Sequence, residues 1–314
     1  MSIRPVKQIV KATPTTEGAG VQLRRAFGFG NTTDFDPFLL LDDFRNERPE
    51  DYLAGFPWHP HRGIETITYV LAGTVDHADS LGNSGAIGAG DIQWMTAGSG
   101  IIHQEMPHGD PDGRMHGFQL WANLPASLKM TAPRYQDVNA ADVPEVTDDD
   151  GTIIRVICGS MWGAHGPVDG IAAEPQYLDV SVPPGTLRRL PVETGRHVFA
   201  YVFAGGGRFR NASEPQAVRT DHVGIIAPGP AAASDLPADN RSLVLFDNGD
   251  EVTVQAGDEG IRFLLVSGKP LREPVAWYGP IVMNTRAQLQ EAFAEYQAGT
   301  FLKHAREGES GKVG

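Results

Sequence analysis

Cysteine is almost missing from this chain of 314 residues: Cys158 stands alone, so no intramolecular disulfide can form and nothing points to an oxidising compartment. Its neighbours Val156 and Ile157 suggest a small buried apolar residue rather than a reactive thiol. Long hydrophobic runs are missing too. Residues 1–18 (MSIRPVKQIVKATPTTEG) hold no stretch of signal-peptide length, and no run of about 20 apolar residues occurs that would cross a bilayer. A cytoplasmic protein without membrane attachment is therefore expected. Positive charge is in short supply, with 26 Lys and Arg against 39 Asp and Glu and a net charge of -13. A surface of that sign does not displace counterions from phosphates, which argues against direct nucleic-acid binding. Helix-forming bias is weak as well.

What is present is turn chemistry. Glycine (37) and proline (23) are spread along the chain, as many short strands joined by tight turns require. The length suggests two domains of about 150 residues each. Residues 21–136 alternate β-branched or aromatic runs with Gly, Asn, Asp and Pro clusters, the pattern of a barrel or sandwich. An acidic, proline-interrupted stretch, DVNAADVPEVTDDDG (residues 137–151), reads as a linker. Strand-like runs then resume at residues 153–157, 177–182, 198–203, 243–246 and 261–266. An internal echo, TYVLAG (residues 68–73) against AYVFAG (residues 200–205), fits two barrels from one duplicated unit, each copy on a strand entering a glycine turn. Near the end, Thr285 and Gln288 form a capping-box pattern, Leu289, Phe293 and Tyr296 follow at helical spacing, and Gly299 would stop the helix. Its apolar stripe is expected against a barrel wall, and the tail beyond Lys303 is expected to fray.

Six of the ten histidines lie between His59 and His116. On a strand, residues i and i+2 share a face, so the imidazoles of His59 and His61 can converge on one point inside a barrel. The pair His103 and Glu105 repeats the spacing with an imidazole and a carboxylate, with 41 residues between the two pairs. Three imidazoles and one carboxylate suit a borderline divalent ion, Fe(II), Mn, Co, Ni, Cu or Zn, rather than Ca or Mg, and leave positions open for substrate or dioxygen. A single histidine of this kind is more often a hydrogen-bonded strand residue, but two such pairs in one histidine-rich β region favour the metal.

The stretches HPHRGIETITYVLAG (residues 59–73) and GDIQWMTAGSGIIHQEMP (residues 90–107) resemble the two signature stretches of the pirin family, a branch of the cupin superfamily. DPFLLLDDF (residues 36–44), GFQLWANLP (residues 117–125), GKPLREPV (residues 268–275) and GPIVMNT (residues 279–285) extend the resemblance over nearly the whole chain. It implies an all-β fold of two jelly-roll cupin barrels in tandem with a C-terminal α-helix. The first barrel, residues 1–136, would bind metal; the second, residues 152–284, would not; residues 285–314 would form the helix and tail. The resemblance further implies that His59, His61, His103 and Glu105 hold the ion, usually iron. The general cupin pattern draws its carboxylate from the position of Glu65 instead, which stands as an alternative ligand, a hydrogen-bond acceptor for a ligand imidazole, or a polar residue closing a turn.

The second barrel looks empty: no His-X-His or His-X-Glu follows Glu105, and an ungapped extension of the echo sets His59, His61 and His103 against Pro191, Glu193 and Asp235. His77 and His108 are expected to face solvent, and His116 to make a structural hydrogen bond. Phe56, Trp58, Met95 and Trp121 flank the ligand stretches as pocket or packing residues. Gly98 and Gly100 permit the bend that presents His103, with no phosphate-loop pattern after them. Two functions follow from the resemblance. One is a quercetin 2,3-dioxygenase-like enzyme in which a flavonol-like substrate and dioxygen react at the metal with loss of carbon monoxide, Glu105 serving as ligand, as catalytic base, or as both. The other is an iron-dependent, redox-responsive regulatory protein that binds a protein partner. A metal that only stabilises the fold is a weaker third reading. Two barrels that cover each other's faces are compatible with a monomer.

Overall fold

In a computed structural model, residues 2–210, 218–220, 224–226 and 236–304 are described. The end of the tail expected to fray, residues 305–314, lies outside them, as does Asp235. In chain order the first half contains β1 (Val6–Lys11), β2 (Thr13–Glu17), β3 (Val21–Phe27), β4 (Phe38–Asp43), β5 (Phe56–His61), β6 (Ile64–Ala72), β7 (Thr74–Asp79), β8 (Ser84–Ile87), β9 (Ile92–Thr96), β10 (Ile101–His108), β11 (His116–Asn123) and β12 (Arg134–Val138). The second half adds β13 (Glu145–Thr147), β14 (Ile153–Cys158), β15 (Ser160–Met161), β16 (Ala164–His165), β17 (Gln176–Val182), β18 (Leu187–Pro191), β19 (His197–Phe209), β20 (Val218–Thr220) and β21 (Gly224–Ile226). It ends with β22 (Leu236–Asp239), β23 (Ser242–Phe246), β24 (Glu251–Gly268), β25 (Ala276–Tyr278), β26 (Ile281–Met283) and the helix α1 (Arg286–Gln297). No helix among the described residues is long and apolar enough to cross a membrane.

Contacts group the chain into two compact units that do not follow chain order. One comprises Met1–Lys11, Glu145–Val156 and Gln176–Ser267; the other comprises Ala12–Pro144, Ile157–Pro175 and Gly268–Gly314. Strand pairing is the reason. β1 runs antiparallel to β23, with Val6 opposite Phe246 and Lys11 opposite Ser242, which takes the first strand into the later unit. Residues 137–151 are not a bare linker, because Val138 still pairs with Ile92 and β13 pairs with β14.

The unit that carries the histidine-rich stretch has two main sheets, a seven-stranded one in the order β12-β9-β6-β11-β4-β3-β2 and a four-stranded one in the order β5-β10-β7-β8. β6 lies between β9 and β11, and its residues from Ile64 to Val70 are all buried, as suits an inner strand. Phe38, Ile67, Tyr69, Phe118 and Leu120 are fully buried there, each side chain contributing about 1.5–3 kcal/mol by leaving water. Thr285 caps α1 with both halves of the capping box in place. Leu289 and Phe293 pack against Ile281, Met283, Ala292 and Phe301, while Tyr296 stays 40% exposed at the edge of the stripe. Gly299, at φ +74, follows the helix end as expected.

The other unit has a nine-stranded sheet in the order β1-β23-β19-β24-β17-β14-β13, with β18 added to β24 and β22 to β19. Its two longest strands change partners along their length: β19 pairs first with β23 and then with β22, and β24 first with β18 and then with β17. The glycine turn expected after residues 200–205 is here a bend. Gly205, at φ +60, kinks β19 without ending it, whereas Gly73, at φ +80, separates β6 from β7 and passes the chain from the large sheet to the small one. A Cβ on Gly205 would stand 2.2 Å from the Gly260 carbonyl oxygen, so glycine is required where β19 and β24 approach backbone to backbone.

Candidate metal centre

β5 is an edge strand, which lets Pro57 and Pro60 sit in it without breaking a ladder on both sides. It runs antiparallel to β10 with His59 opposite His103, and the register slips before Glu105 meets Phe56. The extra β5 residue falls at Pro57 and Trp58, a bulge of the kind that re-aims a side chain. On β10 the burial alternates strictly, and Ile101, His103, Glu105 and Pro107 face inward. Gly98 and Gly100, at φ +50 and +137, make the bend that leads into β10. A Cβ on Gly98 would lie 2.2 Å from the Thr131 carbonyl oxygen.

These elements bring His59, His61 and His103 together, with ligand nitrogens all within 4.8 Å of one another. The Nε2 atoms of His59 and His61 are 3.0 Å apart, and so are those of His59 and His103. The opposite sides of two rings are anchored: His59 Nδ1–H donates to the Pro57 carbonyl at 2.9 Å and His61 Nδ1–H to the Pro280 carbonyl at 3.1 Å. A neutral imidazole with its proton on Nδ1 bears a lone pair on Nε2, so two lone pairs face each other at contact distance. A cation between them removes that repulsion. Nitrogens bound at about 2.1 Å and at right angles to each other stand about 3.0 Å apart, against about 3.4 Å for a tetrahedral pair, so the spacing from His59 to each of the other two rings fits right-angle neighbours on one ion. Burial, reinforced by the neighbouring imidazoles, holds His61 and His103 well below the usual histidine range, and burial also lowers His59. Neutral rings are the form a metal needs.

Glu105, the fourth expected ligand, stands beside this cluster rather than in it, with Oε2 3.9 Å from His103 Nε2. Burial pushes its carboxyl up to about 7, against the opposing hydrogen bond from Thr68. The Thr68 hydroxyl lies 3.2 Å from Glu105 Oε1 and 2.7 Å from Gln119 Oε1. One hydroxyl proton cannot serve both oxygens, so the three groups form a chain whose direction depends on how the Gln119 amide is turned. Glu65 does none of the metal-related jobs considered for it. Its carboxylate accepts from the Thr96 hydroxyl at 2.8 Å, and carbonyls, not Glu65, accept from the His59 and His61 rings.

The expectation that His77 faces solvent is corrected. It lies on β7 opposite Glu105, is only 9% exposed, and has its ring 6.3 Å from that of Tyr135. Its segment reads as a turn because it is polar, yet it is a strand whose inner face lines a polar region. His108 is exposed and reaches Asp76 at 3.0 Å. His116 packs edge-on against Phe118, with Nε2 3.9 Å from Asp43 Oδ1, and does not join the cluster. Phe56 and Trp121 line the cavities at the site, whereas Met95 belongs to the core and Trp58 is 51% exposed. Thr68, Gln119 and Pro280 were not singled out by sequence reasoning. Thr68 alone left a signal, as a polar residue where the echo has Ala200.

Two cavities meet at His59 and His61. The inner one is walled by Val21, Leu23, Phe44, Val75 and Met115, with Thr68, Glu105 and Gln119 among its polar members. The outer cleft, about 480 Å³, is bordered by Phe29, Phe56, Trp121, Trp277 and Arg25. Aromatic rings lead from it to the cluster: Phe29 is 5.3 Å from Trp277, Trp277 is 6.0 Å from Trp121, and Trp121 is 5.1 Å from His61. Arg25 offers little free charge, since Asp42 takes it at 2.8 and 2.7 Å and Glu17 at 2.9 Å.

Comparison with known proteins gives a consistent picture. The family profile described as Pirin matches residues 20–122, and that described as Pirin C-terminal cupin domain matches residues 177–302. A pirin-like protein of Caulobacter vibrioides is 45% identical over 302 residues, covering 96% of this chain and 100% of that one. Human pirin is 35% identical over 298 residues, covering 94% and 93%. Among solved structures, a quercetin 2,3-dioxygenase from Acinetobacter baumannii superposes with a TM-score of 0.80 at 29% identity, covering 95% of this chain and 98% of that one.

Proposed function

The chain belongs to the pirin family, and we propose that it is a metal-dependent dioxygenase that opens flavonol-like aromatic substrates with release of carbon monoxide. The observation that carries this reading is the set of three converging neutral imidazoles beside a buried carboxylate, at the junction of two apolar cavities. His59, His61 and His103 would hold the ion, Fe(II) in the first instance, with Glu105 completing the set when its carboxylate swings closer to the imidazoles. The bound ion supplies the Lewis acidity that acidifies a substrate hydroxyl and the redox chemistry for reaction with dioxygen.

The rest is the work of the chain's own groups. In its present position Glu105 would act as a base toward a substrate hydroxyl, its Oε2 standing free beside the imidazoles 3.9 Å from His103 Nε2. Thr68 fixes Glu105 Oε1 and leaves Oε2 facing the imidazoles. Trp121 and Trp277 offer faces and edges to a planar ring system. The neutralised Arg25 makes the mouth a poor receptor for small carboxylates and a better one for an uncharged aromatic compound.

Adding quercetin in air to protein loaded with Fe(II) tests the reading. Loss of flavonol absorbance with stoichiometric carbon monoxide is expected, and Glu105→Gln should lower turnover about 100-fold with metal retained. Absence of turnover with Fe, Mn, Co, Ni and Cu alike would overturn it.

A further inference from the structure

The residue after the second histidine is a buried arginine that the proposed chemistry does not use. Arg62 is 2% exposed. Its Nε donates to the Ser99 carbonyl at 2.6 Å, Nη1 to Glu295 Oε2 at 2.8 Å, and Nη2 to the Phe301 carbonyl at 2.6 Å. The Phe301 ring lies 4.2 Å from the guanidinium carbon. One arm therefore holds the bend that leads into β10, and the other two hold α1 and the segment beyond it.

The main chain repeats the connection. Val282 N–H donates to the Arg62 carbonyl at 3.1 Å, and Gly63 N–H donates to the Gly98 carbonyl at 2.8 Å. Pro280 supplies the carbonyl that fixes the His61 ring. Gly100, ahead of His103, lies so close to Phe301 that a Cβ there would be 3.0 Å from its ring. Residues 280–301 thus touch the turn after His61 and the bend before His103. Burying a guanidinium is costly, and apolar packing would join these segments with less desolvation. What the arginine adds is a planar fork that sets three acceptors at fixed directions.

We propose that residues 280–301 form a clasp on the metal site, and that Arg62 is the positioning residue through which this clasp sets the distance between the strand of His59 and His61 and the strand of His103 and Glu105. The clasp rests on the reading of those four residues as ligands. Metal affinity then depends on a segment far along the chain that contributes no ligand of its own.

Cobalt(II) is the probe, with its affinity read by competition with a chelator, its visible spectrum reporting ligand geometry, and the unfolding of the metal-free protein measured separately. Arg62→Met should weaken cobalt binding about 10- to 100-fold and change the spectrum, as loss of outer hydrogen bonds to a metal site does. Arg62→Lys should recover only part, since an ammonium can meet Glu295 but cannot also span two carbonyls. Glu295→Gln should weaken binding about threefold to tenfold, and its effect should largely vanish in the Arg62→Met background. Should Arg62→Met not fold, Glu295→Gln and Phe301→Leu carry the same measurements. Variants that bind cobalt within about twofold of the wild type, with an unchanged spectrum, overturn the clasp alone and leave Arg62 a plain structural tie. A wild-type protein that takes up no cobalt overturns the ligand assignment and the clasp with it.

Discussion

β6 and β19 start from nearly the same words, TYVLAG and AYVFAG, and lead into interiors of opposite character. Thr68, 3% exposed, binds Glu105, whereas Ala200, fully buried, makes no such contact. The strand pair β5–β10 buries His61, His103 and Glu105; the pair β18–β24 buries Leu190, Val252 and Val254. A barrel of this family closes around aliphatic side chains without difficulty. The polar cluster is therefore no requirement of the architecture, and in the metal-free state it works against stability, because desolvated imidazoles and a desolvated carboxylate replace packed hydrocarbon.

The sharpest way to break the contrast is to make the first barrel resemble the second. His61→Leu combined with His103→Val should lower metal affinity by more than about 100-fold, read by calorimetric titration. The same substitutions should raise the unfolding free energy of the metal-free protein by about 1–3 kcal/mol. A loss of apo stability would show that the histidines are structural after all.

Next in size is a glycine comparison. Gly63 and Gly195 each precede an echo strand, at φ +78 and +82. Beside Gly63 a Cβ would meet the Val282 carbonyl oxygen at 2.0 Å, while nothing lies within 4 Å of one at Gly195. Gly195→Ala should cost only the left-handed strain, about 1–2 kcal/mol. Gly63→Ala adds a backbone collision and should cost about 4 kcal/mol, seen as a lower denaturation midpoint. Equal costs at the two positions would mean that the segment at Val282 moves away freely.

A third effect concerns pH. Lys129 is buried, donates to the carbonyls of Gly63 and Val282 and to Asn123 Oδ1, and burial pushes its ammonium down to about 7. Between that value and the ordinary lysine range the unfolded chain holds a proton that the folded one releases, so stability rises as pH increases from 7 toward 10 and the full penalty is carried below 7. The rise should be on the order of 3 kcal/mol. Urea titrations at pH 7 and 9.5 should show it in the wild type and not in Lys129→Met.

The two pairs proposed as ligands were legible as same-face neighbours because strand alternation is a short-range property: His59 with His61, and His103 with Glu105, share faces whatever the rest of the chain does. Their meeting depended only on β5 and β10 pairing antiparallel. The cap of α1 was legible for the same local reason. Pro280 and Arg62 were not, since the value of a carbonyl or a guanidinium depends on what docks against it from more than 200 residues away. β1 escaped too: nothing in Val6–Lys11 names Ser242–Phe246 as its partner. His77 was misread because a strand facing a polar interior has the composition of a loop.

Thr68→Ala gives the smallest effect and the most direct use of the echo, because it installs the residue that the second barrel already carries. The position tolerates alanine in that context, so stability should change by less than about 1 kcal/mol. Glu105 would lose its hydrogen bond with Thr68, and its carboxylate would no longer be held with Oε2 toward the imidazoles. Since Thr68 touches neither the proposed ion nor its three nitrogens, cobalt affinity should stay within about threefold while turnover of quercetin falls about 10-fold. The drop should appear in kcat, with KM little changed, because a carboxylate in the wrong place slows proton transfer without removing the aromatic walls. Equal losses of affinity and turnover would instead make Thr68 a support of the metal site and leave Glu105 as a ligand without a separate role as base.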